Sequence, residues 1–185
     1  MSLAFGNVLL AVLFAQGVSE GTCADIAVSG YGYAICVPTM WYKREMRSGA
    51  VFLCSEPKGN CTASVGGMPL NGQATLAIMP LQVSKMSRRE GLLADIVRDF
   101  IHDPAALISD PVHVTGPGGD LEYIRVWESF SLGALKEQPK DQYSYFVRVS
   151  SALFRATLLF HANDARGPDY QKIAREVVTS VRLLR

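Results

Sequence analysis

The sequence has little net charge, since 18 Lys and Arg against 17 Asp and Glu leave +1. Gripping a phosphate backbone or an anionic lipid surface takes a basic excess, so neither nucleic acid nor a charged membrane is expected as a partner. No C-x-x-C occurs, and the three histidines, His102, His113 and His161, stand far from the four cysteines, all placed between Cys23 and Cys61. A zinc site therefore has no ligand set, and no metal is expected. Long apolar runs are missing too. Leu3–Ala15 is uncharged but shorter than the roughly 20 residues of a membrane span. Also absent are a phosphate-binding Gly-rich loop with Lys-Ser/Thr, H-E-x-x-H, G-x-S-x-G and a nucleotide fingerprint, so no catalytic residue and no cofactor is assigned. What is present is ordinary for a folded domain: 49% hydrophobic and 19% charged residues, which excludes disorder and collagen-like repetition.

Leu3–Ala15 has the length of a signal-peptide core, and the small-residue stretch Gly17–Thr22 follows it. Only the terminal amine supplies positive charge ahead of it. A buried first helix or strand is the alternative, poorly served by Gly6, Asn7 and Gly17. Small residues fit cleavage after Gly17, Gly21 or Ala24, but the last would discard Cys23 and leave an odd number of cysteines. Residues 1–21 are therefore expected to be a signal peptide and 22–185 a single domain, secreted or periplasmic, with no stable membrane span after cleavage. Lipid attachment at Cys23 is disfavoured by Glu20, which stands where an aliphatic residue is needed.

In an oxidising compartment four cysteines allow three connectivities. One has a local argument: Glu56-Pro57-Lys58-Gly59 suits a type I turn, which sets Cys54 opposite Cys61. That pairing leaves Cys23 to Cys36. Rings of about 8 and about 14 residues contribute on the order of 2.5 and 3 kcal/mol, so energy does not choose between connectivities. If the leader stays attached, four buried thiols are the alternative.

Tyr31–Pro38 alternates and ends in proline, and reads as a strand. Ala50–Ser55 and Ala74–Met79 follow as a second and a third. A helix is expected over Ser87–His102, with Ser87-Arg-Arg-Glu90 as a capping box, an apolar stripe through Leu93, Ile96, Val97 and Phe100, and Asp103-Pro104 as its stop. Strands resume at Pro111–Thr115 and Leu121–Phe130, separated by Gly116-Pro-Gly-Gly119, whose simplest role is a tight turn. After a polar loop, Lys136–Asp141, Tyr143–Val149 and Phe154–Phe160 form a hairpin turning near Ser150-Ser151. A terminal helix starts near Pro168, with Tyr170, Ile173, Ala174, Val177, Val178 and Val181 as its stripe. Turn-linked strands imply a mainly antiparallel sheet of about six or seven strands covered by two helices, an α+β fold.

Gly32-Tyr-Ala-Ile-Cys-Val-Pro38 followed closely by Trp41, then strands, a central helix, a β-meander and a closing helix ending Thr179-Ser-Val-Arg182, resembles the Mog1/PsbP-like family. The resemblance covers nearly the whole mature chain. It implies an α/β/α sandwich without a shared catalytic centre, whose members mostly act as binding or accessory factors. The clustered cysteines depart from the pattern, and no functional residue is carried over.

Asp95, Asp99 and Asp103 share one face of the expected helix, a row that cannot surround a calcium ion and is read as a solvated face. His102 falls in the last helical turn and His161 at a strand end. One constellation stands out. Tyr123, Arg125 and Trp127 alternate onto one face of their strand, and Arg148, Arg155 and His161 lie on the strands that follow. If these faces coincide they form a patch of residue types enriched at binding surfaces, suited to an acidic or aromatic partner. Otherwise the arginines pair with Asp120, Glu122 or Glu128 across strands, or lie under the terminal helix. The leading expectation is an exported, monomeric, non-enzymatic binding or accessory domain with an envelope protein as partner. Its rivals are a small secreted hydrolase built around His113 or His161, and a carrier of a small apolar ligand, which needs a cavity of at least ~300 Å³.

Overall fold

The computed structural model describes residues 23–45, 49–55, 73–81, 92–130 and 140–184. Alternation in the long segments produces long strands: β8 (Gly119–Phe130), β9 (Lys140–Val149) and β10 (Ala152–His161). They are joined edge to edge with β5 (Ala74–Pro80), β4 (Val51–Cys54) and β3 (Tyr42–Glu45). The order is β3-β4-β5-β10-β9-β8, closed at the far edge by β6 (Leu107–Ile108) and β7 (Val112–Gly116), which both pair with β8. Every pairing is antiparallel. A separate three-stranded sheet holds β1 (Cys23–Val28), β2 (Tyr33–Pro38) and β11 (Arg182–Leu183) in the order β1-β2-β11.

Among the described residues two helices cover the large sheet, from opposite sides. α1 (Leu93–Phe100) lays Leu93, Ile96 and Val97 on Ile124, Val126, Phe146 and Leu153. α2 (Gly167–Thr179) carries Pro168 in its first turn and buries Tyr170, Ala174, Val177 and Val178. These join Tyr145, Val147, Phe154, Ala156, Leu158 and Phe160 of the large sheet and Tyr33, Ile35 and Val37 of the small one. Each fully buried side chain of this size contributes about 1.5–3 kcal/mol relative to exposure, so the α2 side holds most of the stabilising burial. Trp41 packs edge-on against Tyr170, with ring centres 6.3 Å apart, which explains why an aromatic follows the proline that ends β2. The hydroxyl of Ser180 donates to Val177 O at 2.6 Å and accepts the Cys36 N–H at 2.8 Å, tying the end of α2 to β2.

The Gly116–Gly119 turn connects β7 to β8 as expected, and its glycines do more than turn. A Cβ on Gly116 would meet the Thr179 carbonyl oxygen, and one on Gly118 the Arg182 side chain, so both let the hairpin approach the end of α2. Four short strands escape sequence reading: β1, β3, β6 and β11. α1 ends at Phe100, and Ile101 is already extended with φ −100° and ψ 120°. His102 and Asp103 therefore stand beyond the helix, and Asp103 instead caps the next turn by accepting the Ala105 N–H at 2.8 Å. The row Asp95–Asp99–Asp103 is broken accordingly. β9 begins at Lys140, so Lys140 and Asp141 belong to a strand where a loop was expected. The Ser87 capping box lies outside the described residues, as does the expected signal peptide.

Cys23 and Cys36 are disulfide-bonded across β1 and β2, with Cα atoms 5.5 Å apart. Cys54 is disulfide-bonded as well. The expected Cys54–Cys61 pairing falls partly outside the described residues. Among those residues no helix is long and apolar enough to cross a membrane.

Candidate binding groove

Sheet register decides which of the six predicted patch residues meet. Residues directly opposite each other on paired strands share a face. Arg125 lies opposite Tyr145 and Trp127 opposite Tyr143, on the face toward α2. Arg148 lies opposite Glu122, Arg155 opposite Phe146 and His161 opposite Lys140, on the face toward α1. The six therefore form no single patch. Tyr123 shares the α2 face but is only 9% exposed, packed against Tyr145 in the core.

On the α2 side, Arg125, Trp127 and Tyr143 line a groove of about 370 Å³, walled by Leu107, Ile108 and Ser109 and by Gln171 of α2. The Trp127 indole donates to Asp141 Oδ1 at 3.0 Å, which fixes the ring. The Arg125 guanidinium lies 5.9 Å from the Tyr143 ring centre, and Tyr143 stacks in parallel on Phe160. Ser109 fastens the end of β6 to β8, donating its N–H to Arg125 O at 2.8 Å and accepting the Arg125 N–H on Oγ at 3.0 Å. At the rim, Leu107 is 65% and Ile108 46% exposed. Burial pushes the Tyr145 phenol up to about 12, partly offset by Arg125 and Arg175. Burial likewise raises Tyr143, with the nearby Asp141 carboxylate adding to the effect. Among the described residues Tyr145 Oη has no hydrogen-bond partner.

The α1 face holds its polar groups differently. Arg155 donates to Ser144 Oγ at 3.0 Å and lies 5.4 Å from the Phe146 ring centre. Burial lowers its pKa, with Glu128 opposing. Arg148 contributes to a second groove, of about 360 Å³, with His113, Thr115, Asp120, Glu122 and Ser150. The hydrolase rival would place a histidine between carboxylate and nucleophile. Here Thr115 Oγ1 donates straight to Asp120 at 2.7 Å, and among the described residues exposed His113 bridges no carboxylate and nucleophile. His161 is half-buried, with Nδ1 unpartnered. An apolar carrier is poorly served as well, because both grooves are open and have charged side chains in their walls. Among the described residues no group of three or more His, Cys, Asp or Glu could hold a metal ion.

No family model and no curated protein matches the sequence. Solved structures do match. A crystal structure from Bacteroides thetaiotaomicron VPI-5482 is 10% identical over 89% of this chain, with a TM-score of 0.54; the chain spans about half of that protein, 49%. The Ran-binding protein Mog1p of Saccharomyces cerevisiae is 10% identical, covering 88% of this chain and 95% of that one, with a TM-score of 0.51. The chain has the Mog1/PsbP-like fold. A third structure, cyanobacterial PsbP (CyanoP) from Synechocystis sp. PCC 6803, aligns at 12% identity over 90% of this chain and 95% of that one, with a TM-score of 0.49. Within this Mog1/PsbP-like fold, the groove sits at the sheet edge where β6 and α2 flank β8. Sequence reading found Arg125 and Trp127 but missed Leu107, Ile108, Tyr143 and Gln171. A usable signal was the pair of aliphatics stranded between Pro104 and Pro111.

Proposed function

We propose that the chain is an exported, non-enzymatic binding or accessory domain that docks an envelope protein through the groove at Arg125 and Trp127. The observation that carries this reading is the joining of Arg125, Trp127 and Tyr143 to two exposed aliphatics, Leu107 and Ile108, in one open groove. Tryptophan, tyrosine and arginine dominate binding energy at protein interfaces, and an apolar rim excludes water around them. The fold, shared with a Ran-binding protein, supports docking in general terms. Export rests on the Leu3–Ala15 segment as a leader, residues 1–21, and on a disulfide, which persists in an oxidising compartment. The domain acts as a monomer.

The test is affinity capture from an envelope fraction, using protein expressed from the full chain. A single co-purifying protein should be retained by the wild type and by H113A, and lost with L107D and W127A. Retention by both groove variants overturns the assignment. Export is checked by fusing residues 1–21 to a periplasm-dependent phosphatase, where absence of activity refutes the leader.

A further inference from the structure

The groove carries a charge feature that its apolar rim does not explain. Arg125 is half-buried, and among the described residues its guanidinium makes no hydrogen bond or ion pair, only the stacking over Tyr143. Arg175, on α2 one turn beyond Gln171, likewise has no carboxylate partner there, whereas its neighbours Lys172 and Glu176 pair with each other at 3.9 Å. Both arginines act electrostatically on Tyr145, whose side chain is fully buried and whose hydroxyl is unpartnered. The nearby carboxylate, Asp141, is engaged by the Trp127 indole. Arg125 thus brings unused donors to the wall of a groove that otherwise offers aromatic and aliphatic surface, and Arg175 follows Gln171, which also lines it, by one helical turn.

We infer that the groove receives an acidic segment of the partner protein, with an Asp or Glu carboxylate set toward Arg125 and Arg175 and an adjacent apolar side chain on Trp127 and Leu107. This rests on the docking role proposed above and adds the chemistry of the partner. A guanidinium has five N–H donors in a planar fork that matches a carboxylate, and stacking on an aromatic ring orients the fork without using those donors. A free small anion fits the shape less well. Small-ligand sites enclose most of the ligand, whereas this groove is open along its Leu107–Ile108 rim.

The experiment pans a phage-displayed random peptide library on the oxidised protein, counter-selected against the R125E/R175E double variant, and measures the enriched peptides by fluorescence anisotropy. Peptides combining Asp or Glu with an aliphatic or aromatic residue should be enriched. Their affinity should fall at least tenfold in the double variant, fall by a smaller factor in R125K/R175K, which keeps the charge but loses the planar fork, and weaken with added salt. Neutral or basic peptides, no enrichment over the double variant, or equal affinity for it would overturn the inference. So would Arg125-dependent binding of succinate or inorganic phosphate at affinities matching the peptides, which marks a small-anion site. If L107D abolishes capture of the envelope partner and the charge reversals leave it intact, the acidic assignment falls while the docking role stands.

Discussion

Arg125 and Arg155 lie two strands apart on opposite faces of one sheet, and their surroundings differ. Arg155 is held by Ser144 and Phe146, with Glu128 near enough to favour its charge. Arg125 has a ring beneath it and donors left unused. A desolvated, bonded cation is part of the packing, and removing it strands its partners. A cation stacked at the wall of an open groove costs the fold little when removed, so its value lies in what it meets. Residue type and hydropathy do not distinguish the two; bonding does.

The largest effect concerns the core on Arg125's side of the sheet. F160A removes the ring that packs on Tyr143 and Tyr170 and should cost about 3–5 kcal/mol in urea unfolding. A loss under about 1 kcal/mol would mean that the α2 face is not the main core.

The next prediction is a pH effect on the α2 face. An unfolded tyrosine ionises near pH 10, whereas Tyr145 keeps its proton to about 12. Between these values the unfolded chain loses a proton that the folded chain retains. Stability that is complete below pH 10 should therefore fall by about 2–3 kcal/mol as the pH rises toward 12. Y145F should flatten that window, and at neutral pH it should stabilise the protein by about 1 kcal/mol, because the deleted hydroxyl bonds nothing. Alkaline denaturation followed by circular dichroism reads both, and an unchanged window in Y145F contradicts the assignment.

The two arginines themselves give smaller numbers. R155A should cost about 1–3 kcal/mol through the lost bond to Ser144 and the lost cover on Phe146. R125A should change stability by less than about 0.5 kcal/mol, as expected of a residue without bonded partners. Equal losses in the two variants would break the comparison and make Arg125 another packing residue.

Much of this architecture was legible. The long strands announce themselves by alternation and α2 by its stripe, with Pro168 at its start. The antiparallel plan and the Mog1/PsbP-like fold follow from that order. What escaped has physical causes. Tyr42-Lys-Arg-Glu45 carries no apolar alternation because its strand edges the sheet, and Leu107-Ile108 and Arg182-Leu183 are too short for any period. Ser180, which ties α2 to β2, looks like any polar residue near a helix end. The candidate site was half visible. Arg125 and Trp127 share a face by simple alternation along one strand, but whether Arg148 and Arg155 join them depends on register between strands, where an offset of one residue reverses the face. Pairing of Glu122 with Arg148 settles that question and lies beyond single-strand patterns.

The small sheet joins the two ends of the described chain. β11 pairs with β2 through Arg182 opposite Ala34, Leu184 donates its N–H to Gly32 O at 2.8 Å, and Arg182 reaches Asp25 at 2.8 Å. A chain that emerges N-terminus first presents β1 and β2, cysteines included, long before β11 exists. The Cys23–Cys36 bond lies within that first hairpin and can form without β11, while the sheet it belongs to is complete only once Arg182 and Leu183 have followed. Oxidation can thus precede the pairing of β11, and a protein truncated just before Arg182 would keep its disulfide yet leave one edge of β2 bare.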